Sequence, residues 1–199
     1  MIYPESFKNL LESFKKLPGV GEKSAERNLY AILDMEFDEV DEFSKNLIEF
    51  KKKIKKCKIC GHYTENEICD ICLDETRDKQ TICVVEDSKT IFSFEKLGNY
   101  HGLYHVLNGL ISPIDGVNPE DINIEKLIND RILKEVKEVI IALSPSLEGE
   151  TTSLYLKKLL ENKNIKLSRL SYGIPMGTDI EYLDPLVIEK ALEDRKTIS

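Results

Sequence analysis

Apolar residues recur every three or four positions in three successive stretches at the start of the chain. Over residues 6–17, Phe7, Leu10, Leu11, Phe14 and Leu17 form one stripe, which predicts an amphipathic helix. Pro18-Gly19-Val20-Gly21 stops it. A second helix is predicted from Glu22, with Ala25, Leu29, Ile32 and Leu33 along one side. A third is predicted over residues 38–54, through Val40, Phe43, Leu47, Phe50 and Ile54. Residues 1–54 therefore read as a small all-helical module.

Further along, the period changes. Thr81-Ile82-Cys83-Val84-Val85-Glu86 is a short β-branched run ending in an acid, and it predicts a buried strand with Cys83 as a buried thiol. Residues 88–97 read as a helix closing at Gly98, and a loop rich in Gly, Asn, Ser and Pro runs from Asn108 to Asn118. A helix over 124–134, a strand at Val139–Leu143, a helix over 151–162 and a strand at Ile165–Leu170 follow. Strands alternating with helices predict a parallel α/β sheet over residues 79–171. The tail, 172–199, carries a turn (Gly173, Pro175, Gly177), an acidic patch and a last helix.

Between the two regions, within residues 55–76, lie two Cys-x-x-Cys pairs: Cys57 with Cys60, and Cys69 with Cys72. Each pair offers two thiolates from one tight turn. Two such hooks close a tetrahedral site of the kind that holds zinc, with no coordination position left for catalysis. One structural Zn2+ per chain is expected. Two redox pairs or a disulfide knot would use the same thiols. His62 lies nearby, but four thiolates already complete the shell.

Charge narrows the function. The 199 residues carry a formal net charge of -8, so a generally basic nucleic-acid coat is excluded and any DNA contact must come from a local basic face. No apolar run reaches the roughly 20 residues of a membrane span. The N-terminal stretch has acids in it and does not read as a signal peptide, which points to a reducing, cytoplasmic setting where thiols stay available for metal. Residues 51–58, KKKIKKCK, place six lysines beside the first cysteine hook, either as a solvated face or as a basic patch.

Two further groups carry candidate chemistry. Gly19 and Gly21 allow a sharp turn and close ligand approach, and the next helix presents free N–H groups. Lys23 and Arg27, four apart, share its face. Together they make a phosphate clamp that reads no base sequence, although a plain corner between helices would use the same residues. Gly21-Glu22-Lys23-Ser24 is not a P-loop, because Glu22 separates the glycine from the lysine and no strand precedes it. At the sheet's carboxyl edge, Glu86 ends one strand, and Ser144, Ser146, Glu148 and Glu150 follow another. Converging carboxylates there would hold Mg2+, form an acidic patch or dock a basic partner.

In combination these features resemble the RecR family of bacterial recombination mediators. The resemblance rests on Leu-Pro-Gly-Val-Gly-x-Lys-Ser-Ala-x-Arg, the cysteine spacing, Val84-Val85-Glu86, Tyr104-His105-Val106-Leu107, Leu110 to Gly116, Glu148-Gly149-Glu150-Thr151, Gly173-Ile174-Pro175 and Glu181-Tyr182. It covers essentially the whole chain. It implies an α/β multidomain fold: an N-terminal helix-hairpin-helix (1–54), a four-cysteine zinc finger (55–76), a Toprim-type parallel α/β domain (79–171) and a C-terminal Walker B-like oligomerisation segment (172–199). It also implies DNA binding, single- and double-stranded, through Gly19, Gly21, Lys23 and Arg27. Zinc would sit on Cys57, Cys60, Cys69 and Cys72, and a partner face would include Glu86, Glu148 and Glu150. RecR-like proteins form dimers and tetrameric rings and act with RecO and RecF to load RecA on gapped single-stranded DNA. Catalytic Toprim enzymes carry Asp-x-Asp where this chain has Ser144 and Ser146. Two hydroxyls cannot replace two carboxylates around Mg2+, so a non-enzymatic role is expected, with a Mg-dependent nuclease or topoisomerase-like activity as the alternative. Thr178, where the family commonly has glycine, bears on the backbone of the tail.

Overall fold

The computed structural model describes residues 3–132, 136–171, 173–174, 177–195 and 197, and the chain divides after Lys53 into two units.

The first unit is helical. It comprises α1 (Glu5–Lys15), α2 (Glu22–Leu33) and α3 (Phe37–Lys53). Leu11, Ala25 and Leu29 form its core, with Phe7, Phe14 and Val20 packed around them. Burying a leucine side chain contributes about 2 kcal/mol, so this core is modest. Two helices can bury only one narrow stripe each. Leu10, Leu17 and Leu33, predicted to belong to the apolar sides, are 37%, 54% and 67% exposed. The third helix forms where predicted but has no buried residue. Its Phe43, Leu47 and Phe50 face solvent, and the helix ends at Lys53, one residue before the expected Ile54.

The second unit opens on a small knuckle. Strands β1 (Lys55–Lys56) and β2 (Tyr63–Thr64) pair antiparallel, and one helical turn, α4 (Asp70–Leu73), follows. A four-stranded parallel sheet comes next: β3 (Asp78–Val85), β4 (Gly102–Val106), β5 (Glu138–Ala142) and β6 (Lys166–Arg169), in the order β4-β3-β5-β6. Along β3, Ile82 and Val84 pack into one layer, and Cys83 and Val85 into the other. A strand buried on both faces reads as a continuous apolar run, as this one does. Cys83 is 1% exposed, and burial pushes its thiol up to about 12.

Helix α5 (Ser88–Leu97) forms and closes at Gly98 as predicted, and Asp87 adds an N-cap that the sequence reading did not include. Asp87 accepts from the amides of Lys89 (2.9 Å) and Thr90 (3.1 Å), and Gly98 closes it at φ 68°. The predicted helix over 124–134 is α6 (Ile124–Lys126) running into a π-helical turn, Leu127–Arg131; residues 133–134 lie outside the described residues. Helix α7 (Leu147–Leu160) starts four residues earlier than predicted, because Ser146 caps it by accepting from the Gly149 amide at 3.1 Å. In the tail, α8 (Pro185–Glu193) begins after its cap Asp184. Of the predicted turn, Pro175 lies outside the described residues.

Strand β4, which the hydrophobic pattern did not single out, is an edge strand. Its outer side is closed by groups that are not strands. The Gly102 carbonyl accepts from Arg77 at 3.1 Å, and the Tyr104 carbonyl from Arg131. The Val106 amide donates to the Cys60 carbonyl at 2.8 Å, and the Val106 carbonyl accepts from the Asn123 side chain at 3.0 Å. The π-helical turn brings Arg131 to this edge with only 6% of the residue exposed.

Candidate nucleic-acid interface and metal centre

At the hairpin between α1 and α2, Gly19 holds φ 79°, a left-handed backbone that suits glycine. Gly21 does not need that freedom. It is extended (φ -83°, ψ 177°) and stands as the N-cap of α2, and a Cβ there would meet nothing within 4 Å. No side chain caps this helix. Its first amides therefore face open space with the positive end of the helix dipole behind them. Lys23 and Arg27 are exposed and form no ion pair among the described residues. The arrangement is an uncapped helix start, with Glu22 in its first turn and two exposed cations on the following face, the geometry on which the expected phosphate contact rests.

The four cysteines converge as predicted. Cys57, Cys60 and Cys69 are 2%, 1% and 3% exposed, and the sulfurs of Cys57, Cys60, Cys69 and Cys72 all lie within 4.8 Å of one another. All five cysteines of the chain are free thiols, so the disulfide alternative is not realised. Backbone amides aim at the sulfurs: Ile59 and Cys69 at Cys57 Sγ (3.4 and 3.3 Å), and His62 at Cys60 Sγ (3.4 Å). N–H donors on sulfur favour the thiolate. Four such thiolates around one point match Zn–S bonds of about 2.3 Å. Thiol–thiol contact with Cys69 pushes Cys60 up, while the same contact pulls Cys69 down. A bound dication removes that competition by deprotonating all four. His62 is not a member of the cluster. Its ring is buried and packs on Phe92 with centroids 4.9 Å apart, and burial lowers its pKa.

The knuckle is docked on the sheet. Gly61, at φ 81°, sits so close that a Cβ would meet Val106 O and Asn123 Nδ2 at 3.2 Å and Asn108 Nδ2 at 3.3 Å. Arg77, beyond the last cysteine, bonds Glu95 through both terminal nitrogens. Desolvation would raise the Glu95 pKa, but the hydrogen bonds from Arg77 and Tyr104 outweigh it and the net shift is downward. The sequence pattern flagged neither Gly61 nor Arg77. The one local signal was Asn108-Gly109, a turn dipeptide whose Asn108 holds φ 64°.

The acids at the sheet edge form no metal-holding group among the described residues. Glu86 Oε2 accepts from Ser144 Oγ at 2.6 Å, so a hydroxyl stands where a metal-binding carboxylate would. Ser146 is spent on capping α7. Glu148 and Glu150 belong to that helix's first turn rather than to a loop. Glu150 is drawn to Arg169 at 3.2 Å and Lys190 at 3.9 Å. Among the described residues, the four cysteines are the one group of three or more side chains placed to hold a metal. The Mg2+-holding option for Glu86, Glu148 and Glu150 is thus not formed; Gly149, between the two helix acids, packs on the Ser144 carbonyl, where no Cβ would fit. No described helix is long and apolar enough to cross a membrane.

Comparison with known proteins covers the whole of this architecture. Residues 7–51 match the RecR helix-hairpin-helix family, 54–74 the RecR four-cysteine zinc finger domain, 80–171 the Toprim domain and 173–196 the RecR C-terminal family. Recombination protein RecR of Staphylococcus haemolyticus is 48% identical over 195 residues, 98% of each chain. Recombination protein RecR of Staphylococcus aureus is also 48% identical, with the same coverage.

Proposed function

The chain belongs to the RecR family, and from that premise we propose that it is a non-enzymatic DNA clamp and adaptor in recombinational repair. It works in the cytoplasm, at the nucleoid during repair, with RecO and RecF to load RecA on gapped single-stranded DNA. Dimers assemble into a tetrameric ring, to which the C-terminal segment contributes. The helix-hairpin-helix (1–54) contacts single- and double-stranded DNA, the zinc finger (55–76) carries one structural zinc, and the Toprim domain (79–171) offers Glu86, Glu148 and Glu150 toward a protein partner. Because Glu150 also holds Arg169 and Lys190, its share in that face comes with an internal commitment.

The observation that carries the reading is the Gly19–Gly21 turn. It opens the uncapped start of α2 to solvent with Lys23 and Arg27 beside it. Backbone amides and cations contact phosphates without reading bases, which suits a protein that must act on any gap. The Ser144–Glu86 hydrogen bond supports the absence of cleavage chemistry, since it puts a neutral donor on the carboxylate that Mg2+ would need.

The test is binding of Lys23→Ala/Arg27→Ala across a salt series. Loss of two phosphate contacts lowers the slope of log K against log salt by about 1.8 per engaged protomer on duplex and about 1.4 on single strands, for all sequences alike. Wild-type affinity and slope in the double variant would remove this hairpin from the interface.

A further inference from the structure

The outward face of α5 carries a feature that the hairpin and the zinc site do not use. Phe92 is 58% exposed, a large aromatic surface to leave in water. Its ring is held from beneath by His62, with centroids 4.9 Å apart and planes 59° apart, and His62 is itself 6% exposed. Lys89 lies three residues before Phe92 and Lys96 four after it, so both share its face. Both lysines are exposed and form no ion pair among the described residues. The single acid of α5, Glu95, lies three residues after Phe92, but its carboxylate is already committed to Arg77 and to the Tyr104 hydroxyl (2.7 Å). The cap, Asp87, accepts from the helix's own amides. A chain of net charge -8 therefore presents here an aromatic ring between two cations, with the one carboxylate of the helix already paired.

We infer that this face is a stacking surface for unpaired bases of single-stranded nucleic acid. A base laid on Phe92 gains an aromatic contact without any sequence requirement, because every base has a π-face. Lys89 and Lys96 are seven residues apart, about 10 Å along the axis, and flank that base where the phosphates on either side pass. The His62 contact fixes the ring in advance, so little ordering entropy is lost on binding. Duplex DNA keeps its bases paired and stacked, and it can use only the two cations. Charge complementarity selects this occupant over an acidic protein, which would satisfy the lysines but leave the ring without a matching plane. The surface belongs to the second unit, and the inference stands whether or not the hairpin binds DNA.

The chain contains no tryptophan, so Phe92→Trp creates a lone indole at the site. The substitution lies on the surface, and zinc content of one per chain with unchanged circular dichroism reports that the fold is kept. The full-length variant is titrated with an oligo(dT) of about 20 nucleotides and with a blunt duplex of equal length. Both titrations use Lys23 and Arg27 intact and, separately, Lys23→Ala/Arg27→Ala. Indole emission is expected to be quenched by oligo(dT) and not by duplex in either background. Phe92→Leu, which keeps the apolar bulk but loses the ring, is expected to weaken oligo(dT) binding about 5- to 100-fold. Lys89→Ala/Lys96→Ala is expected to lower the salt slope by about 1.4. Unquenched emission at saturating oligo(dT), equal quenching by duplex, or wild-type affinity in Phe92→Leu would each overturn the inference. So would a blue shift that grows with protein concentration alone, since a second copy would then cover this face.

Discussion

Gly61→Ala asks how firmly the four-thiol knuckle is seated on the sheet. The substitution leaves every sulfur in place but adds one methyl at a backbone with φ 81°. Forcing a left-handed backbone on alanine costs about 1 kcal/mol. The new Cβ would also stand 3.2 Å from Val106 O and Asn123 Nδ2 and 3.3 Å from Asn108 Nδ2, closer than carbon comfortably sits. Relief requires the knuckle tip to back away from β4. That movement weakens the bond between the Cys60 carbonyl and the Val106 amide, now 2.8 Å, with a net value of about 1 kcal/mol. The total is about 2–3 kcal/mol. Gly98→Ala serves as the control, because Gly98 has a similar φ of 68° but nothing within 4 Å of its Cβ position. It should cost only the backbone strain, about 1 kcal/mol. Hydrogen exchange of the Val106 amide in zinc-loaded protein reads the difference: faster by roughly tenfold or more in Gly61→Ala and little changed in Gly98→Ala. Zinc content should remain at one per chain in both. Equal effects of the two substitutions, with Val106 protection unchanged, would show that the knuckle tip does not depend on its fit against β4.

Two other outcomes follow from the sheet. His105 is fully buried, its Nε2 donating to the Asn123 carbonyl at 2.6 Å while Nδ1 has no partner. Burial lowers its pKa from 6.5 to about 4, and the nearby Arg131 and Lys126 act in the same direction. The unfolded chain takes up this proton below pH 6.5 and the folded chain does not, so stability is complete at neutral pH and falls as pH drops toward 4. At about 1.4 kcal/mol per pH unit the loss approaches about 3 kcal/mol. Urea unfolding followed by circular dichroism should show a steeper loss in wild type than in His105→Gln, since the buried His62 contributes in both, and parallel pH profiles would refute it. The second outcome concerns Ser144→Asp/Ser146→Asp. It puts one carboxylate against Glu86 and a second two residues on, at the α7 cap, costs about 1 kcal/mol or more without metal through like-charge repulsion, and creates Mg2+ binding detectable by calorimetry. Binding of equal strength in wild type would mean that the hydroxyl at 2.6 Å does not disable the site.

The parts legible in the sequence were those with strong local causes. The cysteine hooks, the Gly98 close of α5 and the period of each N-terminal helix needed no distant information. The misses had non-local causes. Gly102 to Val106 makes strand β4, but its histidine interrupts the apolar run, and only the Asn123 carbonyl, 18 residues on, makes His105 a core residue. The predicted start at 151 left Glu148-Gly149-Glu150 outside the helix, since glycine disfavours helix interiors. The close approach of the Ser144 carbonyl cannot be seen from spacing. For α3 the period was right, yet its Phe43, Leu47 and Phe50 stay exposed: periodicity says which residues share a face and not whether anything covers it. Spacing places Glu150 with the sheet-edge acids but does not show its partner Arg169, which lies on another element.

The outer edge of β4 has a consequence for how the protein fails. A bare edge strand is a template on which other chains add strands, and it seeds aggregates. Here one of the groups that occupies the edge is the Cys60 carbonyl, whose position depends on the thiols around it. Stripping the metal therefore does more than loosen a small appendage. It frees the Val106 amide at the end of the edge, while Arg77, Arg131 and Asn123 keep their carbonyls, so loss of zinc would open one strand-pairing position next to the sheet's core.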